Sequence, residues 1–211
     1  MKRLAIALCF FAACGVLCAA PIERDLGLGL RFWRVHSLPE ELPPIGTGAG
    51  HPWVLDVRYV HGDTRAGKAL FDWLKAAAGP RTPVFLLANT DTSGELFALL
   101  DSTDAVPGLV ILGPAAPHFF PDVALRVDPK TDRRAYDALE GGAQIEALLV
   151  DDREKPRNDE ARLEREHLPD SALEDDDPGK SQIPAKAPPL IDLVLQRAVQ
   201  LHRALLALKR L

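Results

Sequence analysis

Beyond residue 18 the chain contains no cysteine: Cys9, Cys14 and Cys18 all fall within the first twenty residues. A chain freed of that segment has no disulfide, no thiol nucleophile and no thiolate metal ligand. Its stability must come from a packed core. Basic residues are also in short supply, with 25 Lys and Arg against 30 Asp and Glu, and no basic stripe interleaved with aromatics. That argues against a nucleic-acid partner. After Leu17 no apolar run is long enough to span a bilayer. His36, His51, His61 and His167 are scattered, with no two at ligand spacing on one element, so neither a metal nor a cofactor is expected.

What the chain does have begins with a leader. Lys2 and Arg3 precede the apolar stretch Leu4 to Leu17, and Cys18-Ala19-Ala20 supplies the small residues a signal peptidase needs. Pro21 is a poor first residue, so cleavage after Ala19 stands beside cleavage after Ala20. Phe11-Ala12-Ala13-Cys14 resembles a bacterial lipobox, which would attach the chain to a membrane through Cys14. A retained anchor is the third option. An exported location, periplasmic or secreted, is expected.

Residues 21–150 have the length and patterning of one domain. Asp25 to Val35 reads as a strand entered through glycines. Gly46-Thr-Gly-Ala-Gly50 lacks the strand before and helix after that a nucleotide-binding turn requires. Val54 to Tyr59 is strand-like, with Asp56 and Arg58 on one side of it, placed for an ion pair that supports the following turn. Ala66, Ala69, Leu70, Trp73, Leu74 and Ala77 fall at helical spacing, with Asp63 or Thr64 as cap and Gly79-Pro80 beyond the end. The continuous apolar run Val84 to Ala88 suits a sheet covered on both faces. A helix over 94–100 and strands over 109–112 and 123–127 complete a mostly parallel α/β pattern. Residues 151–188 turn abruptly charged and proline-rich, the composition of a disordered insert. Ile191, Val194, Leu195, Ala198, Leu201, Leu205 and Leu208 mark residues 189–211 as an amphipathic helix that docks on the domain.

Two strand-to-turn junctions carry the candidate chemistry, because turn N–H groups and helix N-termini gather where such strands end. Five stretches resemble, in order, the C-terminal processing (tail-specific) serine peptidases of the ClpP/crotonase-like fold. Leu28-Gly-Leu-Arg-Phe-Trp-Arg-Val resembles their opening strand, and Asp56-Val-Arg58-Tyr-Val-His-Gly62 their "DLRgNpGG" turn. Thr90-Asp-Thr-Ser-Gly-Glu95 resembles "TASASE", Pro121-Asp122-Val123 the "PDv" element, and Asp192-Leu-Val-Leu-Gln-Arg-Ala198 the closing helix. The family's peptide-binding PDZ module is missing.

The resemblance implies a hydroxyl nucleophile deprotonated by a neutral lysine, with backbone N–H groups holding the oxyanion. It places Thr92 at the nucleophile, Gly62 at one oxyanion donor and the Ser93 N–H at the other. Three departures count against catalysis. Threonine stands for serine, Asp63 for the second glycine, and the loop Gly113 to Pro121 contains no lysine. His118 in that loop is the candidate substitute base, with His61 beside Gly62 as another. A capping box over Thr92-Ser-Gly-Glu95 accounts for the hydroxyl without chemistry. The expectation is therefore an exported, catalytically inactive domain that binds a peptide or protein. The alternatives are a working hydrolase using Thr92 or Ser93 with His118 or His61, and a structural part of the cell envelope.

Overall fold

The computed structural model describes residues 20–44, 50–102, 106–115, 117, 120–149 and 189–211. The expected leader up to residue 19, Cys14 with it, the charged segment 151–188 and His118 lie outside them. No helix among the described residues is long and apolar enough to cross a membrane.

Six strands form one sheet: β1 Ile22–Asp25, β2 Arg31–Arg34, β3 Trp53–Asp56, β4 Val84–Leu87, β5 Leu109–Gly113 and β6 Val123–Ala124. They lie in sequence order; β1 and β2 are antiparallel and every later pairing is parallel. The domain is thus α/β with a mixed, mostly parallel sheet. Helix α1 Thr64–Ala77 joins β3 to β4. A 3-10 turn at Gly94–Leu96 and the short α2 Ala98–Ser102 join β4 to β5. Helix α3 Pro129–Glu140 and a 3-10 turn at Ile145–Leu148 follow β6, and α4 Leu193–Ala207 closes the chain.

Period-two alternation sends the central strands' side chains to two separate cores. Trp53, Leu55, Val84 and Leu86 meet Leu70, Trp73 and Leu74 of α1 together with Leu96 and Phe97. From the opposite face Phe32, Val54, Phe85 and Leu87 meet Leu139, Leu148 and the α4 residues Val194, Leu195 and Ala198. Both faces are covered, which is why β3 and β4 read as nearly unbroken apolar runs.

The single strand expected over 25–35 is instead a hairpin. Gly27 and Gly29 adopt φ of +79° and Leu28 a φ of +54° between β1 and β2, a reversal that glycine makes possible at little steric cost. The strand expected to run to Tyr59 stops at Asp56, because Tyr59 itself sits at φ +64°. Helix α3 had no counterpart in the sequence reading, which favoured hydrophobic runs. Its buried face, Asp132, Ala135, Tyr136 and Leu139, keeps helical spacing but is poor in apolar residues, and Asp128 with Pro129 at the start and Gly141 at the end mark its bounds.

Candidate functional site

The carboxyl ends of β3 and β4 bring the two motif turns side by side. Asn89, just past β4, is buried, and its Oδ1 accepts from the backbone N–H of Asp91 (3.1 Å) and of Tyr59 (3.3 Å). Thr92 is 1 % exposed. Its Oγ1 accepts from the Asn89 N–H at 3.1 Å, while its proton faces two acceptors, the Val57 carbonyl and Asn89 Oδ1, each at 3.1 Å. The capping box is therefore not formed. The 3-10 turn is entered from Ser93 without any side-chain cap, and Thr92 closes the β4 turn onto the β3 turn instead.

Ser93 completes the seam. Its N–H donates to the Val60 carbonyl at 3.0 Å, and its hydroxyl lies against the Gly62 carbonyl at 2.9 Å and the Glu95 carboxylate. Both hydroxyls thus face oxygen acceptors; neither meets an imidazole or an amine among the described residues. His61 is exposed and makes no hydrogen bond among them. Asp63 Oδ1 accepts from the Ala66 N–H at 2.9 Å and caps α1. Gly62 has a packing reason for its identity: a Cβ there would lie 2.6 Å from Leu96 Cδ2 and 2.9 Å from Ala66 Cβ. Gly67 is tighter still, its notional Cβ 2.4 Å from the Glu95 carbonyl oxygen.

Beside this seam, at the ends of β2 and β3, lies a buried ionic cluster. The expected pair is present: Arg58 Nε and Nη2 donate to the two oxygens of Asp56 at 2.9 and 2.8 Å. The same guanidinium also donates to Asp132 of α3 at 2.8 Å and to both oxygens of Asp192 at 3.1 and 2.7 Å. Arg34 donates from Nε to Asp56 at 2.9 Å and from Nη1 to the Tyr136 carbonyl and Glu140, each at 3.0 Å. Its Nη2 has no hydrogen bond among the described residues, but the guanidinium lies 3.8 Å from the Tyr136 ring centroid, close enough for a cation–π contact.

Electrostatics follow from this packing. Burial pushes the Asp56 carboxyl up, yet the charges of Arg58 and Arg34 outweigh it and bring it down from 3.8 to about 2. For Arg58 burial opposes the charge, and Asp192, Asp56 and Asp132 overcome that and hold it protonated. Burial, with the negative charge of Asp56 beside it, raises the Tyr136 phenol to about 12. Burial and the neighbouring Asp132, which accepts its hydroxyl at 3.0 Å, raise Tyr59 as well. Tyr59 holds its left-handed backbone through that bond, the Asn89 contact, the Tyr136 edge at 4.7 Å and Arg133 at 4.6 Å over its ring. Sequence reasoning missed Arg34 and Asp132 because their partners are distant in the chain, Arg34 and Glu140 being 106 residues apart, and missed Asn89 because the capping box assigned the Thr92 oxygen to Glu95 instead.

The opposite end of this sheet edge is open. A groove of about 660 Å³ lies past the ends of β5 and β6, lined by Pro114, Ala115 and Ala124 to Asp128. Among the described residues no group of carboxylates or imidazoles is placed to hold a metal ion. No family model, curated protein or solved structure matches the chain.

Proposed function

We propose that this domain binds an extended peptide or protein segment and does not cleave it, on a ClpP/crotonase-like scaffold akin to the tail-specific peptidases. The observation that carries the reading is the seam between the two turns. A nucleophile needs a base able to take its proton, and an oxyanion hole needs N–H groups free to point at substrate. Thr92 and Ser93 face carbonyl and carboxylate oxygens, and the Ser93 N–H is bound to Val60. The parts that would form a catalytic corner instead stitch two crossovers together.

A filled corner alone fits a purely structural envelope component equally well. Binding is favoured by the open groove beside β5 and β6, since carboxyl ends of parallel strands are where α/β sheets receive ligands. Labelling of the folded full chain with a fluorophosphonate probe tests the inactive half of the reading. No adduct is expected. An adduct that disappears in Thr92→Ala or Ser93→Ala would mean an activated hydroxyl and would overturn it.

A further inference from the structure

The open edge of β6 has features that a bare surface strand lacks. Residues 123–127 alternate between half-buried and exposed: Val123, Leu125 and Val127 pack towards the second core, while Ala124 and Arg126 face solvent. The Leu125 N–H donates to the Gly113 carbonyl at 2.9 Å, so the odd-numbered backbone groups face β5. Peptide groups of neighbouring residues point to opposite edges of a strand. The N–H and C=O of Ala124 therefore face outward, towards the side where no strand is described, and Arg126, beyond the last paired residue, continues the alternation of exposure. The groove runs along the same residues, and Phe120, 83 % exposed, sits just before the strand.

We propose that this edge receives an extended, acidic peptide as an added strand, a site that rests on the binding function proposed above. Unpaired strand backbone is complementary to another strand above all, since each outward N–H and C=O gains a partner of its own kind. Charge selects among such peptides. Arg126 is exposed and has no ion-pair partner among the described residues, while Lys130, also exposed, has its charge beside Asp128. The acidic groups around them are already committed. Asp122 accepts from the Ile111 N–H at 2.8 Å, Asp128 holds the Thr131 N–H and hydroxyl at 2.9 and 2.7 Å, and Asp132 is turned inward to Arg58. An arriving carboxylate thus meets the positive charge of Arg126, with the nearest carboxylates held on backbone N–H groups. Phe120 offers an apolar ring to the same strand's side chains.

The experiment uses the full chain and a fluorescent peptide of about twelve residues in which valine alternates with glutamate, with a valine–lysine peptide as control. The glutamate peptide is expected to bind and the lysine peptide not to. Amide hydrogen exchange is expected to slow at Ala124 and Arg126 on binding. Arg126→Glu, an exposed change that the fold tolerates, is expected to weaken binding roughly three- to tenfold, the range for reversing one exposed pair. Ala124→Pro, which deletes an outward N–H, is expected to weaken it further. Glutamate-peptide binding without protection at Ala124 and Arg126, or unchanged in Arg126→Glu, would place the peptide elsewhere and overturn this site while leaving the proposed function standing. Failure of both peptides to bind would count against the site and the binding function together.

Discussion

The side chain of Thr92 does three things at once, and none of them is chemistry. It accepts one backbone N–H, offers its proton to two oxygens and fixes the distance between two turns. Thr92→Ala leaves the buried Asn89 N–H without the hydroxyl it donates to and the Val57 carbonyl with the Val60 N–H alone. A loss of about 1–3 kcal/mol is expected by urea denaturation, and Thr92→Ser should recover most of it. Gly62 separates packing from catalysis in the same way. Gly62→Ala drives a methyl group into Leu96 and Ala66, and is expected to lower stability by about 1–3 kcal/mol; an unchanged melting midpoint would sink the packing explanation. At this scale the sequence was half legible. Strand-to-turn junctions in a parallel sheet end at a common edge, so the two turns were expected side by side; the resemblance named Thr92, Ser93 and Gly62 within them, and Ser93 Oγ lies 2.9 Å from the Gly62 carbonyl. The spacing could not say where the hydroxyl proton goes, since Asn89 competes with Glu95 for the same oxygen and Asn89 won.

Among the elements, the pair that decides most is Arg58 with Asp192. It ties the turn after β3 to the N-cap of the closing helix, where Asp192 also accepts from the Leu195 N–H. Asp192→Ala strips a buried guanidinium of one of its two bidentate partners and removes a cap. A loss of about 3–5 kcal/mol is expected, visible as a lower chemical-denaturation midpoint. The cluster also sets an acid limit. Asp56 binds its proton less readily in the fold than in the unfolded chain, so its contribution is complete above pH 4 and is lost as pH falls towards 2, on the order of 2 kcal/mol. The base limit has the reverse sign. Tyr59 and Tyr136 are the chain's two tyrosines, and both phenols resist ionisation in the fold. Absorbance of the tyrosinate band should stay silent through pH 10 and rise only as the protein unfolds; early titration of either ring would contradict the packing described. Helix α3, which carries Tyr136 and Asp132, was harder to read because its buried stripe keeps helical spacing but holds few apolar residues, with an aspartate at its first position.

For the whole molecule, the order of strands along the chain is also their order in the sheet. Such an arrangement was readable from alternating strand and helix patterns, since short crossovers leave few other places for the next strand. What the pattern could not supply is which helices cover which face. Helix α4 seals the second core over Phe85 and Leu87, and a chain ending after Leu149 leaves that apolar surface bare. Such a truncation is expected to lose cooperative unfolding and to bind hydrophobic dye, as measured by calorimetry and fluorescence.

The sheet can grow by adding each strand to the one just formed, so most of its contacts close over short stretches of chain. Arg58 makes the longest of the exceptions among the side-chain hydrogen bonds described, because Asp192 lies 134 residues later. While the chain is being made, that guanidinium sits among fewer carboxylates than it needs, and the corner around it has no reason to set. Docking of α4 supplies the remaining partner. The cluster thus works as a latch: the carboxylate that completes it arrives with the helix that covers the second core.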